Sequence, residues 1–472
     1  MTISTRYFLG AAGFAAGTSY YLLGVLGLTA LPMVVALWAV SLPIALRHYS
    51  AELKRDAVGV FFVFGVAGNI DVVEFAAGGS DRRISTLLLA LGVLYLLANA
   101  NESRELLRSR LTLLLVAFFS GEVLNGAAFS VDDLGPLALS RAGQLVSVLV
   151  TVLLTRRRPW LMAITAVWAL SMSVPLMIQE IVNQGQIVLS STAFLGVARA
   201  GGFFAQADNA ALALTYAAGF AIWLYLQHRV SGAVLATVVV AGIIGILCSA
   251  SRGGLLAMLA LLALFCGLAA PRFGKRLLVV AGVIALLAFL VPDTFDAAGD
   301  AISRQLVEVG VPATSISRYV QVFAALGGST DQLMADNVES QRIPNAMGAI
   351  ETGLDHPLFG IGSGRFIMPL TMERSHFQLA EIFANNGLVG LALYLVFLGT
   401  LLATLLRRTR GATLTALVPL LPWLMTHLQS HNIWDMRFHT VPVAFAWGLA
   451  IQPTTTEQTT TEQTNAPPAL HS

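Results

Sequence analysis

The chain reads D-H-P-L-F-G-I-G-S-G-R-F at 355–366 and S-H-F-Q-L-A-E-I-F-A-N-N-G-L-V-G at 375–390, and both stretches lie in its only long polar interruption. Three glycines at alternate positions in the first stretch allow a tight turn and a close approach of the backbone to a ligand. His356 and Arg365 stand beside these glycines. The stretch is therefore a candidate functional site. The alternative is a solvated loop in which the glycines only form turns.

The rest of the chain forms an apolar frame around this interruption. Of 472 residues, 56% are hydrophobic and only 11% are charged, a composition that a soluble domain of this length does not normally have. Apolar runs of about 17 to 22 residues recur, each long enough to cross a hydrocarbon core of roughly 30 Å as a helix. Because the runs are continuous rather than alternating, they predict helices and not a barrel. The predicted fold class is an all-α polytopic membrane protein.

Hydropathy predicts about 12 to 14 transmembrane helices. The predicted helices span 7–28, 30–46, 57–76, 84–99, 111–129, 138–154, 160–180, 209–226, 232–249, 254–270, 277–291, 387–406, 412–428 and 440–451. They divide the chain into N-terminal transmembrane helices (1–291), a cap loop on the outer side (292–386), C-terminal transmembrane helices (387–451) and a disordered tail (452–472). Helical periodicity within the cap loop predicts helices near 303–326 and 344–354.

The placement of lysine and arginine predicts the orientation of these helices. Most of the 28 basic residues fall in short turns that are cytoplasmic if the N-terminus is inside, as the positive-inside rule requires. Both termini are then cytoplasmic, and the cap loop lies on the outer side. The cap loop holds 5 arginines against 11 carboxylates, so it does not suit a polyanion such as a nucleic acid.

Arg199 stands directly before a predicted helix on the outer side. It opens the stretch R-A-G-G-F-F-A-Q-A-D-N (199–209), in which Asp208 and Asn209 occupy the expected N-cap position. An arginine that reaches toward lipid headgroups is the alternative reading of this segment.

Arg252 lies in S-R-G-G-L-L, between two apolar runs with almost no loop. A guanidinium held at the membrane boundary beside a helix N-terminus suits an anion such as a phosphate. The alternative is an ion pair with Asp71, Glu74 or Glu122.

His376 opens the predicted re-entry of the chain into the membrane. A neutral imidazole at that level suits a general base that works near neutral pH. Metal binding is the rival, because His427 and His431 stand at H-x-x-x-H spacing, but the glutamate of zinc proteases is missing between them. We therefore expect no metal site. The sequence also lacks a Walker loop, a dinucleotide-binding fingerprint and a nucleophile elbow, so no nucleotide partner is expected.

The combination of these motifs resembles the O-antigen ligase family, which also includes O-antigen polymerases and protein O-oligosaccharyltransferases. The resemblance covers about 199–211 and 245–406 at the level of motifs. It implies an all-helical membrane glycosyltransferase of the lipid-phosphosugar type with an active site under a periplasmic cap. The family's loop histidine corresponds to His376, its two essential arginines correspond to Arg199 and Arg252, and Arg342 corresponds to an arginine often found ahead of the H-P motif.

The same resemblance implies the reaction and its partners. The donor is a glycan on undecaprenyl diphosphate, the acceptor is the lipid A-core oligosaccharide, and the enzyme is a multi-pass protein of the bacterial inner membrane. Arg199 and Arg252 are expected to bind the diphosphate, while His376 takes the proton of the acceptor hydroxyl in an inverting transfer without metal or cofactor. The expected substrate-binding residues are Arg342, Arg365, Asn209 and His356.

Two departures from the family pattern leave the acceptor open. Phe377 stands where the family commonly has asparagine, and Q-A-D-N (206–209) stands where it commonly has N-P-N. A polymerase, an exopolysaccharide enzyme or a protein O-oligosaccharyltransferase therefore stays an alternative. A transporter of lipid-linked glycans is the alternative from another class, but no inverted repeat is visible in the helix spacing.

Overall fold

The computed structural model describes residues 3–70, 83–129, 134–182, 200–204, 206–249, 251–269, 342–362, 377–407, 410–427, 434 and 436–452. Within these ranges the chain forms helices and turns without strands, which confirms the all-α class. The helices are α1 (Ile3–Leu26), α2 (Leu31–Ala45), α3 (Ser50–Ala67), α4 (Arg83–Ala98), α5 (Ala100–Leu107), α6 (Arg110–Phe129), α7 (Leu134–Arg157), α8 (Pro159–Ser171), α9 (Val174–Val182), α10 (Ala207–Leu226), α11 (Gly232–Ser249), α12 (Arg252–Ala269), α13 (Arg342–Asp355), α14 (Gln378–Leu406), α15 (Arg410–Thr426) and α16 (Thr440–Ala450).

Several of these helices can cross a membrane. In the described part of the chain, 7 helices are long and apolar enough to do so, or up to 8 if the bent pair of α4 and α5 is one span. The helix axis turns by 98° between the two members of that pair. The predicted helices at 277–291 and 303–326 lie outside the described residues, as does the tail after 452, so the total of 12 to 14 spans stays a prediction.

The core of the bundle is formed by α8, α9 and α10. The apolar windows of the α8–α9 span and of α10 are each 89% buried, whereas that of α14 is 28% buried and faces outward. Small residues allow α10 to approach its neighbours closely, as is usual in membranes. A Cβ built on Gly219 would lie 3.1 Å from Cα of Pro419 in α15. Two of these well-packed helices, α9 and α10, flank the Arg199 segment in the sequence.

Several predicted helix boundaries differ from the structure; the helix predicted at 57–76, for example, corresponds to α3, which ends at Ala67. The predicted helix at 160–180 is divided into α8 and α9, because the ring of Pro175 lacks an N–H group and clashes with the preceding turn. The predicted helix at 387–406 begins at Gln378 instead. It is kinked at Gly387, whose φ of 62° is not helical.

Candidate active site

A backbone hydrogen bond joins the two segments that carry the predicted arginines. Ala200 N donates to Cys248 O at 3.0 Å. Ala200 follows Arg199 in the chain, and Cys248 precedes Arg252 by four residues, across the break between α11 and α12. Arg199 itself and the side chain of Arg252 lie outside the described residues. The structure thus brings the two segments together, and the positions of the guanidinium groups stay predictions.

A buried carboxylate holds the turn that follows Arg199. Glu180 of α9 is 4% exposed, and its Oε2 accepts hydrogen bonds from Gly201 N and Gly202 N at 3.0 Å each. Sequence reasoning missed this residue. The available signal was a carboxylate inside an apolar helix, which is costly in a membrane and usually functional or paired.

The helix predicted at 254–270 begins two residues earlier, at Arg252, so Arg252 does lie at a helix start. Ser251 caps α12, because Gly254 N donates to Ser251 Oγ at 3.2 Å. A Cβ built on Gly254 would lie only 2.4 Å from Cβ of Ala211, so the first turns of α12 and α10 touch. The N–H groups and the positive dipole end of α12 therefore lie next to the start of α10.

Asn209 lies in the first turn of α10 and is 2% exposed. The helix begins at Ala207 with Gln206 as its N-cap residue, so the N-cap prediction for Asp208 and Asn209 is wrong. Gln206 adopts the extended conformation of an N-cap itself, with φ −121° and ψ 135°. The Asn209 amide instead donates to Gln206 Oε1 at 3.1 Å and contacts Sδ of Met436 at 3.0 Å.

The H-P-L-F-G-I-G turn at 356–362 packs against the kink in α14. A kinked helix leaves carbonyl groups without partners before the kink and N–H groups without partners after it. The turn satisfies both sets through four backbone hydrogen bonds. They run from Ile361 N to Ala384 O (2.9 Å), from Gly362 N to Asn385 O (3.0 Å), from Leu388 N to Pro357 O (2.8 Å) and from Val389 N to Leu358 O (3.2 Å).

Two glycines make this contact possible. Gly360 has φ 66°, and a Cβ there would lie 2.4 Å from Ala384 O. Gly387 has φ 62°, and its Cβ would lie 2.4 Å from the carbonyl carbon of Leu358. The close approach expected from the glycine pattern is thus made to the backbone of α14. His356 is exposed at the start of the turn, and Arg365 lies outside the described residues.

Polar side chains of α6 hold the kink from the other side. Asn125 Nδ2 donates to Asn385 O at 2.7 Å and to Phe359 O at 2.5 Å, so one amide binds both partners of the turn–kink contact. One turn earlier, Glu122 Oε1 lies 3.5 Å from Asn386 Nδ2.

Glu122 also forms a buried ion pair with Arg141 of α7. Their Oε2 and Nε atoms lie 2.8 Å apart, and Arg141 Nη1 donates to Trp434 O at 2.6 Å. Glu122 was one possible partner of Arg252, and the structure gives it Arg141 instead. The ion pair connects α6, α7, the kink in α14 and the segment before α16.

The helix predicted at 344–354 is confirmed as α13, and its place in a cap stays a prediction. It begins at Arg342, whose side chain lies outside the described residues. The helix α14 begins two residues after His376, which also lies outside them, and Gln378 N donates to His427 O at 3.1 Å. The start of α14 is therefore tied to the end of α15.

His427 is held inside the protein. Its Nδ1 lies 3.1 Å from Trp423 O, and its Nε2 contacts the hydroxyl group of Tyr394. Because both ring nitrogens of His427 have hydrogen-bond partners, neither is free to bind a metal in the H-x-x-x-H alternative. His431 lies outside the described residues.

Residues 238–395 match the family model described as O-antigen ligase. This range begins in α11, includes Arg252, Arg342 and His376, and ends in α14 after the kink; Arg199 and Asn209 precede it. No curated protein matches the chain.

Proposed function

We propose that this chain, whose residues 238–395 match the O-antigen ligase family model, transfers a glycan from undecaprenyl diphosphate to the lipid A-core oligosaccharide. The observation that carries the proposal is the hydrogen bond between Ala200 and Cys248, which ties the Arg199 segment to the Arg252 segment. Two guanidinium groups on segments joined in this way suit a diphosphate, which presents neighbouring anionic groups. The N-terminus of α12 adds a positive dipole end.

The reaction needs charge stabilisation and one proton transfer. The acceptor hydroxyl attacks the anomeric carbon, the bond from that carbon to the diphosphate oxygen breaks, and the configuration inverts. Arg199 and Arg252 stabilise the charge that grows on the departing diphosphate. His376 takes the hydroxyl proton as general base. The undecaprenyl diphosphate already serves as the leaving group, so this scheme requires no nucleotide.

We assign substrate binding to Asn209, Arg342, Arg365 and His356. Asn209 is buried in the first turn of α10, beside the contact of α10 with α12. Its amide is suited to a sugar or a phosphate oxygen once Met436 moves aside. Arg342 begins α13, and the exposed His356 follows the end of the same helix.

A polymerase of the same family is the second candidate. Phe377 packs into a small apolar cluster with Ala349, Ala380 and Ala384, so the position after His376 offers no amide to an acceptor. A deletion strain separates the two functions. Long glycans that stay on the carrier, without attachment to the surface lipid, indicate the ligase, whereas loss of long glycans indicates the polymerase.

The role of Arg252 is tested with purified protein, a carrier-linked glycan and a lipid A-core acceptor. Loss of a transition-state charge contact typically lowers the rate about 10²- to 10³-fold, and we expect this loss in kcat/KM for Arg252→Ala. Arg229→Ala is the matched control, because Arg229 is exposed at the predicted cytoplasmic end. Near-normal transfer by Arg252→Ala would remove Arg252 from the mechanism.

A further inference from the structure

One buried amide in α13 has no hydrogen-bond partner in the part of the chain that the structure describes. Asn345 is 1% exposed, and neither its Nδ2 nor its Oδ1 forms a hydrogen bond. Among the polar side chains that the structure describes, it is the one that leaves two buried atoms unsatisfied. Native proteins seldom bury an amide in this way, and each such group calls for a missing partner or a functional reason.

The face of α13 that carries Asn345 packs against the first part of α14. Asn345, Ala349 and Gly353 are spaced by four residues and therefore share one face of the helix. A Cβ built on Gly353 would lie 2.4 Å from the ring of Phe383.

One turn closer to the N-terminus of α13, Ala349 clusters with Ala380 and Ala384, and Phe377 packs beside them. Residues nearer the N-terminus of α13 thus contact residues nearer the N-terminus of α14. Asn345, one further turn ahead, comes level with the beginning of α14. This is where the chain arrives from His376.

The side chain of Asn345 points toward the N-terminus of α13. Side chains in a helix tilt toward the N-terminus, so the Asn345 amide overlies the first turn, which begins at Arg342. The first N–H groups of a helix have no partner within the helix. Pro344 contributes no N–H group at all, so the side-chain amide supplies a donor in a turn that is short of one.

The unsatisfied atoms select the chemistry of the ligand. An asparagine amide offers two N–H donors beside a carbonyl acceptor. A phosphate would satisfy the donors and would place its negative oxygens against Oδ1. A sugar with neighbouring hydroxyl groups, or with an acetamido group, satisfies both atoms together.

We propose that Asn345 is a carbohydrate-binding residue that holds a sugar of the glycan donor or of the acceptor beside the start of α14. The inference rests on the proposed glycosyl transfer for the identity of the ligand. The proposal places a sugar, and not the diphosphate, next to Asn345 and the start of α14.

The variant Asn345→Leu tests the assignment, because leucine has a similar size and no polar atom. The rate of transfer is measured first with varied carrier-linked glycan at saturating acceptor, and then with varied acceptor at saturating carrier-linked glycan. We expect the KM of one of the two substrates to rise about tenfold, the effect of a lost hydrogen bond to a ligand, with kcat within about twofold. The substrate whose KM rises identifies the source of the sugar. Asn345→Asp, which keeps the shape and loses the donors, gives the same comparison if the leucine variant does not fold.

Thr151→Val is the matched control. Thr151 of α7 is fully buried, its Oγ1 has no partner, and it lies near the predicted cytoplasmic end. Removal of an unsatisfied buried atom should raise the apparent unfolding temperature in both Thr151→Val and Asn345→Leu, but only Asn345→Leu should change a KM. Unchanged KM values for both substrates in Asn345→Leu would overturn the proposal.

A binding measurement separates this inference from the proposed transfer. Retention of a labelled carrier-linked glycan and of labelled acceptor is measured for the wild type and for Asn345→Leu, each without the other substrate. If the wild type joins no sugars but Asn345→Leu weakens retention of either one about tenfold, the proposed transfer fails and the carbohydrate site stands. Equal retention of both in the two proteins contradicts the site.

Discussion

At the scale of single residues, Gly360 and Gly387 determine whether the turn at 356–362 can seat on α14. Both have positive φ values, and a side chain at either position would meet the opposing backbone at 2.4 Å. We expect Gly360→Ala and Gly387→Ala each to lose roughly 1 to 3 kcal/mol of stability from backbone strain alone, measured as a lower unfolding temperature in detergent. Gly399→Ala is the control, since Gly399 lies in the same helix with open space around it. An unchanged unfolding temperature for Gly387→Ala would contradict this role of the kink.

Single residues also show which features of the site the sequence could predict. The alternating glycines predicted that the backbone would approach another group closely. They did not predict that Gly360 would contact α14, because the two segments lie more than twenty residues apart in the sequence. The N-cap at Gln206 was missed because Asp208 and Asn209 are better N-cap residues by type. Hydrogen bonds to Met436 and Gln206 engage the Asn209 amide instead.

At the scale of helices, the ion pair of Glu122 and Arg141 holds α6 against α7 beside the kink. Both residues are more than 90% buried, and removal of one partner leaves a buried charge without its counterion. We expect Glu122→Leu to lose about 3 to 5 kcal/mol of stability, and the double variant Glu122→Leu/Arg141→Leu to lose clearly less. Unfolding of the four proteins of this double-mutant cycle measures the coupling. A loss in the double variant equal to the sum of the two single losses would show that the pair is not coupled.

Periodicity could not reveal this pair or the contact of Glu180 with Gly201 and Gly202. Each apolar run predicts its own helix, but the pairing of polar groups between helices depends on how the helices pack. A charged residue inside an apolar run is the usable signal, because burial in a membrane requires a partner or a function. Glu122, Arg141 and Glu180 all carry that signal.

At the scale of the whole molecule, the all-α membrane fold was predictable because the bilayer fixes the length and composition of a spanning helix. Among the helix boundaries that were predicted wrongly are two where local chemistry interrupts an apolar run, at Pro175 and at Gly387. The match to the O-antigen ligase family model was also predictable, because the motifs around Arg252 and at 355–390 lie inside the matched range 238–395. The roles of Arg199, Arg252 and His376 stay predictions that rest on the segments brought together here.

The proposed transfer is tested most directly by product formation with protein in lipid vesicles, a labelled undecaprenyl-diphosphate glycan and lipid A-core, without nucleotide. We expect the wild type to join glycan to acceptor. His376→Ala should form no product while it retains the labelled donor within a few-fold. Labelled carrier that crosses the vesicle membrane while no sugars are joined, or near-normal product from a folded His376→Ala protein, would contradict the proposed mechanism.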